Sequence, residues 1–395
     1  MTVVSTANLG PLVEPGPPLS RVELDRYSRH VLLPDLGELG QRRLRRARVA
    51  VIGAGGLGAP VLTYLAAAGV GTIGLVDFDV VEASNLQRQT IHGVADIGRP
   101  KVDSAVDTVA LLDPSVVVHP MAARLDADNV LGLLASYDLV IDGTDNFATR
   151  YLVNDACVLL GIPYVWGSVF RFEGQVSVFW AEHGPQYRDL FPVPPPPGSV
   201  PSCGEGGVLG VVCGVIGSIM ATEAMKLISG VGRPLLGRVL VYDALKMSFR
   251  TVALRRDPAA EPVTGLVDYD AWCETSVAVA PGGDADVSVG ELHRLQADGP
   301  EVTVTVIDVR EPAEHVLGTI SGAVSVPLGE LMSDDALTSI RAAGLLGPVV
   351  VFCASGVRSA RAVALLRDRG IWPVHSLAGG FAAWSQTGPA DEPGD

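Results

Sequence analysis

The chain has 395 residues, 48% of them hydrophobic, and a formal net charge of −15. That length suits two domains, and acidity without any basic stripe argues against nucleic acid and anionic membrane surfaces as partners. The five cysteines, Cys157, Cys203, Cys213, Cys273 and Cys353, are odd in number and form no CxxC pair, which disfavours both a disulfide framework and a four-thiolate zinc site.

Residues 1–20 are proline-rich, with no basic start and no apolar signal core, and read as the disordered leader of a cytoplasmic protein. Gly, Pro or charge interrupts every apolar stretch before the ~18 residues that a spanning helix needs. Ser20 and Glu23 form an S-x-x-E capping box opening a helix into "LDRYSRHVLLPDL". Strand patterns follow at "ARVAVIG", "GTIGLVDFD", "SVVVHPM", "YDLVIDGTD" and "IPYVWGSVF", with helical patterns between the first few, which indicates a parallel, doubly wound sheet. "GQVSVFW" alternates tightly enough to pair antiparallel, and "PVPPPPGS" (192–199) reads as an extended loop. Periodicity dissolves over 257–286, the composition of a linker. A second βα set then runs through "VGELHRLQADG", "VTVTVIDVR", "GAVSVPL", "VVVFC", a helix from Gly356, and "PVHSLAGG".

Gly53, Gly55 and Gly58 form G-x-G-x-x-G between a strand and a helix, where glycine lets backbone N–H groups approach a phosphate. Asp77 ends the next strand, in position to accept from ribose hydroxyls. This much fits NAD or FAD as well. Arg88 and Lys101, with Asn85 nearby and Asp142 and Asp145 in "VIDGTDN", suit instead a triphosphate with Mg²⁺, the cations offsetting charge on departing pyrophosphate and an aspartate holding the metal. Taken singly, each cation reads as a solvated surface charge. Cys157 and Cys213 fall in apolar helical patterns and read as core. In "CASGVR", Cys353 to Arg358, a strand-end cysteine meets a helix start. Backbone N–H groups, the helix N-terminus and Arg358 would favour a thiolate or a persulfide anion there. Asp308 and Arg310 read as a structural pair.

"GAGGLG", "LVDFDVVEASNLQRQ", "GRPK", "DGTDN" and "RYSRHVLL" resemble, in order from about Arg21 to Arg255, the ubiquitin-activating-enzyme-like adenylyltransferases of the MoeB and ThiF type. "VIDVREPAEHVLGTISGAVSVPL", "VVVFCASGVRSARAVALL" and "LAGGFAAW" resemble a rhodanese domain from about Val287 to Trp384. Together the likeness is to the fused MoeZ type. It implies an α/β chain: a Rossmann-like, doubly wound adenylyltransferase domain over 21–256, a linker over 257–286 and a small α/β rhodanese domain over 287–390. It assigns ATP to Gly53, Gly55, Gly56, Gly58, Asp77, Ser84, Asn85, Leu86, Gln87, Arg88, Lys101, Asp145 and Asn146, with Asp145 near Mg²⁺. Arg29 matches an arginine that reaches the other protomer's nucleotide in a homodimer. Cys353 would carry the persulfide, Arg358 would belong to its cradle, and Cys203 matches a cysteine that some relatives link to the carrier.

The implied substrate is the C-terminal Gly-Gly of a small ubiquitin-like sulfur carrier (MoaD-, CysO- or ThiS-like), and the implied product its thiocarboxylate. The sulfur would come from a persulfide or thiosulfate donor, and the product would serve molybdopterin, and also cysteine or thiamine, synthesis. The chain departs from the family in two places. Where many relatives bind zinc through two CxxC pairs, it reads "GPQYRDLF" and "RDPAAEPV", so no zinc is expected and packing has to hold that corner. Thr319 stands where rhodaneses often have His. Two rival readings remain at this point: a nicotinamide or flavin oxidoreductase with a regulatory rhodanese-like tail, and a non-catalytic scaffold for a ubiquitin-like protein.

Overall fold

The structure is a computed structural model that describes residues 9–194, 207–275, 286–297, 304–316, 318–331, 333, 340 and 347–386. Two compact units divide the chain, the first ending at Cys273. Its eight strands are β1 (Arg48–Ile52), β2 (Thr72–Val76), β3 (Val117–Met121), β4 (Leu139–Asp142), β5 (Tyr164–Phe170), β6 (Glu173–Phe179), β7 (Arg238–Asp243) and β8 (Ser248–Ala253). They lie in the order β3-β2-β1-β4-β5-β6-β7-β8, parallel as far as β5 and antiparallel beyond it. The tight alternation of β6 thus marks the first antiparallel strand. The β7–β8 hairpin escapes the sequence pattern because every residue of β8 is exposed, leaving no alternation to read. β1 pairs with β4 as far as Ile52 opposite Asp142, so Gly53 and Gly143 leave the sheet side by side. Strand order reverses between these two strands, and the crevice outside such a switch point is where doubly wound sheets bind ligands.

A 20-residue helix, Gly210–Ser229, backs the sheet against β5, β6 and the Gly58–Ala67 helix. By length and composition it could cross a membrane, with mean hydropathy 1.7 over its most apolar window, so the expectation that glycine and charge break up every such stretch fails here. Its glycine marks a contact instead of a break. A Cβ on Gly217 would collide with the Pro60 ring and come within 2.6 Å of the Leu57 carbonyl oxygen. Of that apolar window, 56% is buried inside the unit.

Three expectations about the edges of this unit need correction. Residues 9–20 of the leader are packed on the unit: Leu12 N–H donates to Leu227 O (2.9 Å), Val13 is buried, and Gly16 exchanges hydrogen bonds with Arg42. Its apolar residues find a groove that proline content alone does not reveal. The helix after the Ser20–Glu23 capping box forms, but it ends at Arg26 and continues only as the short Ser28–Val31 turn. Nor is 257–286 simply a linker. Residues Tyr269–Thr275 form a helix whose Tyr269 hydroxyl donates to Asp155 (2.6 Å) and whose Trp272 lies edge-on to Tyr151 and under the Arg188 guanidinium. Two aromatic side chains are enough to dock a stretch whose composition is otherwise that of a tether. The segments "GPQYRDLF" and "RDPAAEPV" are joined directly. Arg256 donates to Gly184 O (2.8 Å), Asp257 N–H donates to Asp189 (2.8 Å), and Tyr187 is fully buried among Tyr151, Trp166 and Phe179.

The second unit is a parallel sheet of β9 (Thr305–Asp308), β10 (Val324–Ser325), β11 (Val349–Phe352) and β12 (Val374–Ser376), in the order β10-β9-β11-β12. Its core joins Ile307, Val351, Leu366 and Val374.

Candidate functional sites

A cavity of about 720 Å³ opens at the β1/β4 switch point, a size usual for small-molecule sites. Gly53, Gly55, Gly56, Asp77, Asn85, Arg88, Lys101, Asp145 and Asn146 all line it. Ser84, Leu86, Gln87, Gly58 and Arg29 do not. Gly58 has a packing task, since a Cβ there would strike the Gly53 carbonyl oxygen. Arg29 is exposed on the Ser28–Val31 turn. Cys203, with the rest of residues 195–206 and so most of "PVPPPPGS", lies outside the described residues.

The wall is braced by the chain itself. Asp77 accepts from Ala54 N–H (2.7 Å) and Asp79 N–H (2.8 Å), tying the glycine loop to the end of β2; burial pushes its carboxyl up, opposed by those two donors. Each oxygen keeps a lone pair for a ribose hydroxyl. Lys101 is buried, not a solvated surface charge, and its ammonium meets Asp79 at 2.7 Å. His92 Nε2–H donates to Ala54 O (3.0 Å), which fixes Nδ1 as the acceptor from Ser104 (2.8 Å); burial holds this imidazole below its ordinary pKa. On the opposite side, buried Asp142 accepts from Tyr164 OH (2.6 Å) and Thr144 N–H (2.8 Å), and burial pushes its carboxyl up against the pull of Arg150. Arg150 donates twice to Thr144 O (3.3 and 2.9 Å), while Asn146 caps the Phe147–Leu160 helix through Thr149 N–H. These bonds fix the loop that presents exposed Asp145. Asp79, Gln89, Thr144, Arg150 and Cys213 also line the pocket and escaped the sequence reading. Gln89 is the last residue of the quoted "LVDFDVVEASNLQRQ", and Arg150 stands five beyond Asp145, so both were within reach of the motifs. Cys213 is core as expected, yet its sulfur also stands 2.9 Å from where a Cβ on Gly56 would lie.

In the second unit Cys353 follows β11 and is fully buried. Gly356, at φ 107°, turns its N–H to the sulfur at 3.1 Å and caps the Val357–Asp368 helix. Ser359 Oγ stands 3.7 Å from the sulfur, but its single proton is better placed on Gly356 O at 2.9 Å. "LAGG" closes the loop from below: Phe381 and Ala382 N–H groups donate to the carbonyls of Cys353 and Ala354 (2.7 and 3.0 Å). Gly380, at φ 60°, lies where a Cβ would meet both carbonyls. The Arg358 guanidinium forms two hydrogen bonds with Glu314 (2.8 and 2.9 Å), which fix it beside the loop. Asp308 and Arg310 form the structural pair expected, at 2.9 and 2.7 Å. His315 and Thr319 also bond Asp308 (3.0 and 3.1 Å), which gives Thr319 a structural place. Burial alone would raise the Asp308 carboxyl, but its bonds to Arg310 hold it below the usual range.

With this geometry in hand, the chain matches the ThiF family over residues 27–263 and the rhodanese-like domain over 288–387. It is 52% identical over 392 residues to the probable adenylyltransferase/sulfurtransferase MoeZ of Mycobacterium tuberculosis, covering 96% of this chain and 97% of that one. It is 53% identical over 266 residues to the sulfur carrier protein adenylyltransferase of Thermus thermophilus, covering 64% and 98%. Against the adenylyltransferase and sulfurtransferase MOCS3 of Bos taurus the identity is 42%, over 94% of this chain and 88% of that one. Among solved structures, E. coli MccB with ATP superposes with a TM-score of 0.54 at 21% identity, over 60% of this chain and 74% of that one, a likeness of fold.

Proposed function

The chain belongs to the ThiF family, with a rhodanese-like domain behind it, and from that premise we propose that it activates and then sulfurates the C-terminus of a small ubiquitin-like carrier. It is an adenylyltransferase/sulfurtransferase that uses ATP. The observation that carries the finer reading is that segments scattered between Gly53 and Arg150 bring a glycine loop, Arg88, Lys101 and Asp145 onto one cavity wall. An oxidoreductase gives those charges no task.

In the first reaction the carrier's Gly-Gly carboxylate attacks the α-phosphorus of ATP, forming an acyl-adenylate and releasing pyrophosphate. The glycine loop positions the phosphates, and Arg88 and Lys101 offset the charge that develops on the leaving group. Asp145 offers a hard oxygen donor on the wall, which fits Mg²⁺, and the ion would screen the phosphates from the incoming carboxylate. Arg29 of a second protomer would complete the site in a homodimer. In the second reaction the terminal sulfur of a Cys353 persulfide attacks the acyl carbonyl and AMP leaves, giving an acyl disulfide. A thiol then attacks Cys353 Sγ, freeing the carrier thiocarboxylate and leaving Cys353 in a disulfide with that thiol. Cys203 is a candidate for this step or for a direct link to the carrier. A second thiol then reduces that disulfide and frees the Cys353 thiolate, which takes the outer sulfur of a persulfide or thiosulfate donor and releases a thiol or sulfite. We place the product in molybdopterin synthesis, with cysteine or thiamine synthesis as further outlets, in the cytoplasm and without structural zinc.

The test is to incubate the purified chain with MgATP, a Gly-Gly-ended carrier and a persulfide donor. Carrier-dependent ATP–pyrophosphate exchange and a carrier mass shifted by sulfur in place of oxygen are expected. Exchange without the mass shift would remove the second reaction from the proposal.

A further inference from the structure

Beside the sulfur of Cys353 lies a hydroxyl with more claims on its proton than it can meet. Ser359, on the first turn of the Val357–Asp368 helix, is fully buried. Its Oγ lies 3.7 Å from Cys353 Sγ, 2.9 Å from Gly356 O and 2.8 Å from Ser376 Oγ. A hydroxyl brings one proton and two lone pairs. With the proton on Gly356 O, the Ser376 hydroxyl has to donate, and it fills one lone pair of Ser359 Oγ. The other is left for the Cys353 S–H.

When the sulfur is a thiolate, the same oxygen can serve it by turning its proton alone. A charged acceptor makes a hydrogen bond about twice as strong as a neutral one does. Gly356 O does not go unpaired when the hydroxyl leaves, because it also accepts from Ala360 N–H (3.0 Å). Ser376 keeps its bond in both states. The pair thus answers thiol and thiolate with no heavy atom displaced and no buried group orphaned.

We propose that Ser359 is a catalytic residue of sulfur loading, its hydroxyl accepting from the Cys353 thiol and donating to the thiolate, with Ser376 as the positioning residue that turns it. This rests on the sulfur-relay reading given above. In loading, the thiolate attacks the donor's outer sulfur. The new S–S bond forms as the old one breaks, and a thiolate or sulfite leaves with the electron pair. Removing the hydroxyl lowers the thiolate fraction near neutral pH without weakening the thiolate that does form.

The test is single-turnover loading of the reduced full chain by thiosulfate and by glutathione persulfide, read as the gain of one sulfur on the Cys353 peptide. It is run from about pH 6 to about pH 10 in wild type, Ser359→Ala, Ser376→Ala and the double variant. Ser359→Ala should load about tenfold more slowly at neutral pH and converge on wild type in alkali, its profile displaced upward by about one pH unit. The double variant leaves no orphaned hydroxyl and should show the same displacement, whereas Ser376→Ala keeps the Ser359 donor and should move the profile less. Around the loop stand Arg358 with Glu314, and Asp308 with Arg310 and His315, while His375 lies on the other face of β12 from Ser376. These groups are the same in all four proteins, so a difference between profiles belongs to the hydroxyls. A Ser359→Ala profile that lies on that of wild type, or falls by one constant factor at every pH, would overturn the proposal and leave Ser359 a packing residue of the helix start. Wild type loaded by neither donor would instead overturn the sulfur-relay reading, and this inference with it.

Discussion

The nucleotide pocket and the sulfur loop are built in opposite ways. The pocket draws its polar groups from loops spread between Gly53 and Arg150, and two of them are braced by residues more than twenty positions away, Asp77 by Ala54 and Lys101 by Asp79. The sulfur is held within one short turn, with Gly356 N–H at 3.1 Å and the "LAGG" glycines as its floor. A triphosphate spreads charge over many ångströms and needs a wall, whereas a single sulfur needs only a few N–H groups at one point. Chemistry on the first site should therefore be sensitive to distant charge, and chemistry on the second to the local backbone.

Lys101→Ala should have the largest effect, lowering carrier-dependent ATP–pyrophosphate exchange by about 10²–10³-fold while thiosulfate sulfurtransfer stays at the wild-type rate. Exchange within threefold of wild type would return Lys101 to a purely structural pair with Asp79. Gly217→Val drives a branched side chain into Pro60 and the Leu57 carbonyl and should cost about 1–3 kcal/mol, read as a lower denaturation midpoint, again with sulfurtransfer unchanged. Tyr269→Phe removes the hydroxyl bonded to Asp155 and should cost about 0.5–1.5 kcal/mol. No change in midpoint would make the Tyr269–Thr275 helix a passive start to the tether.

The smallest effect is one of pH. Burial holds His92 below its unfolded value of 6.5, so the neutral ring favours the folded state. That stabilisation is complete above 6.5 and is lost as the pH falls from there through the lower folded value. His92→Gln can still donate to the Ala54 carbonyl but does not titrate. The stability advantage of wild type over this variant should therefore shrink on acidification from neutral pH to about 5. A difference constant with pH would mean that another group titrates.

The same contrast explains what was legible in the sequence. The sulfur loop is contiguous, so "CASGVR" and "LAGG" could be read directly, and the glycine loop and Asp77 announce themselves by strand–turn–helix spacing. Contacts between distant segments could not be read. The pairing of Arg358 with Glu314 and the docking of Leu12 and Tyr269 depend on which surfaces the fold brings together. The helix Gly210–Ser229 shows the reverse case: glycine reads locally as an interruption and serves in the fold as a point of close approach.

The central claim is that one chain holds two separable chemistries joined only through the carrier. Its most direct test measures both half-reactions in Asp145→Ala and Cys353→Ala. Asp145→Ala should lose carrier-dependent exchange while its Cys353 still accepts sulfur from thiosulfate. Cys353→Ala should exchange normally, accept no sulfur, and form no thiocarboxylate from a persulfide donor. Thiocarboxylate formed by Cys353→Ala at the wild-type rate from that donor would contradict the relay.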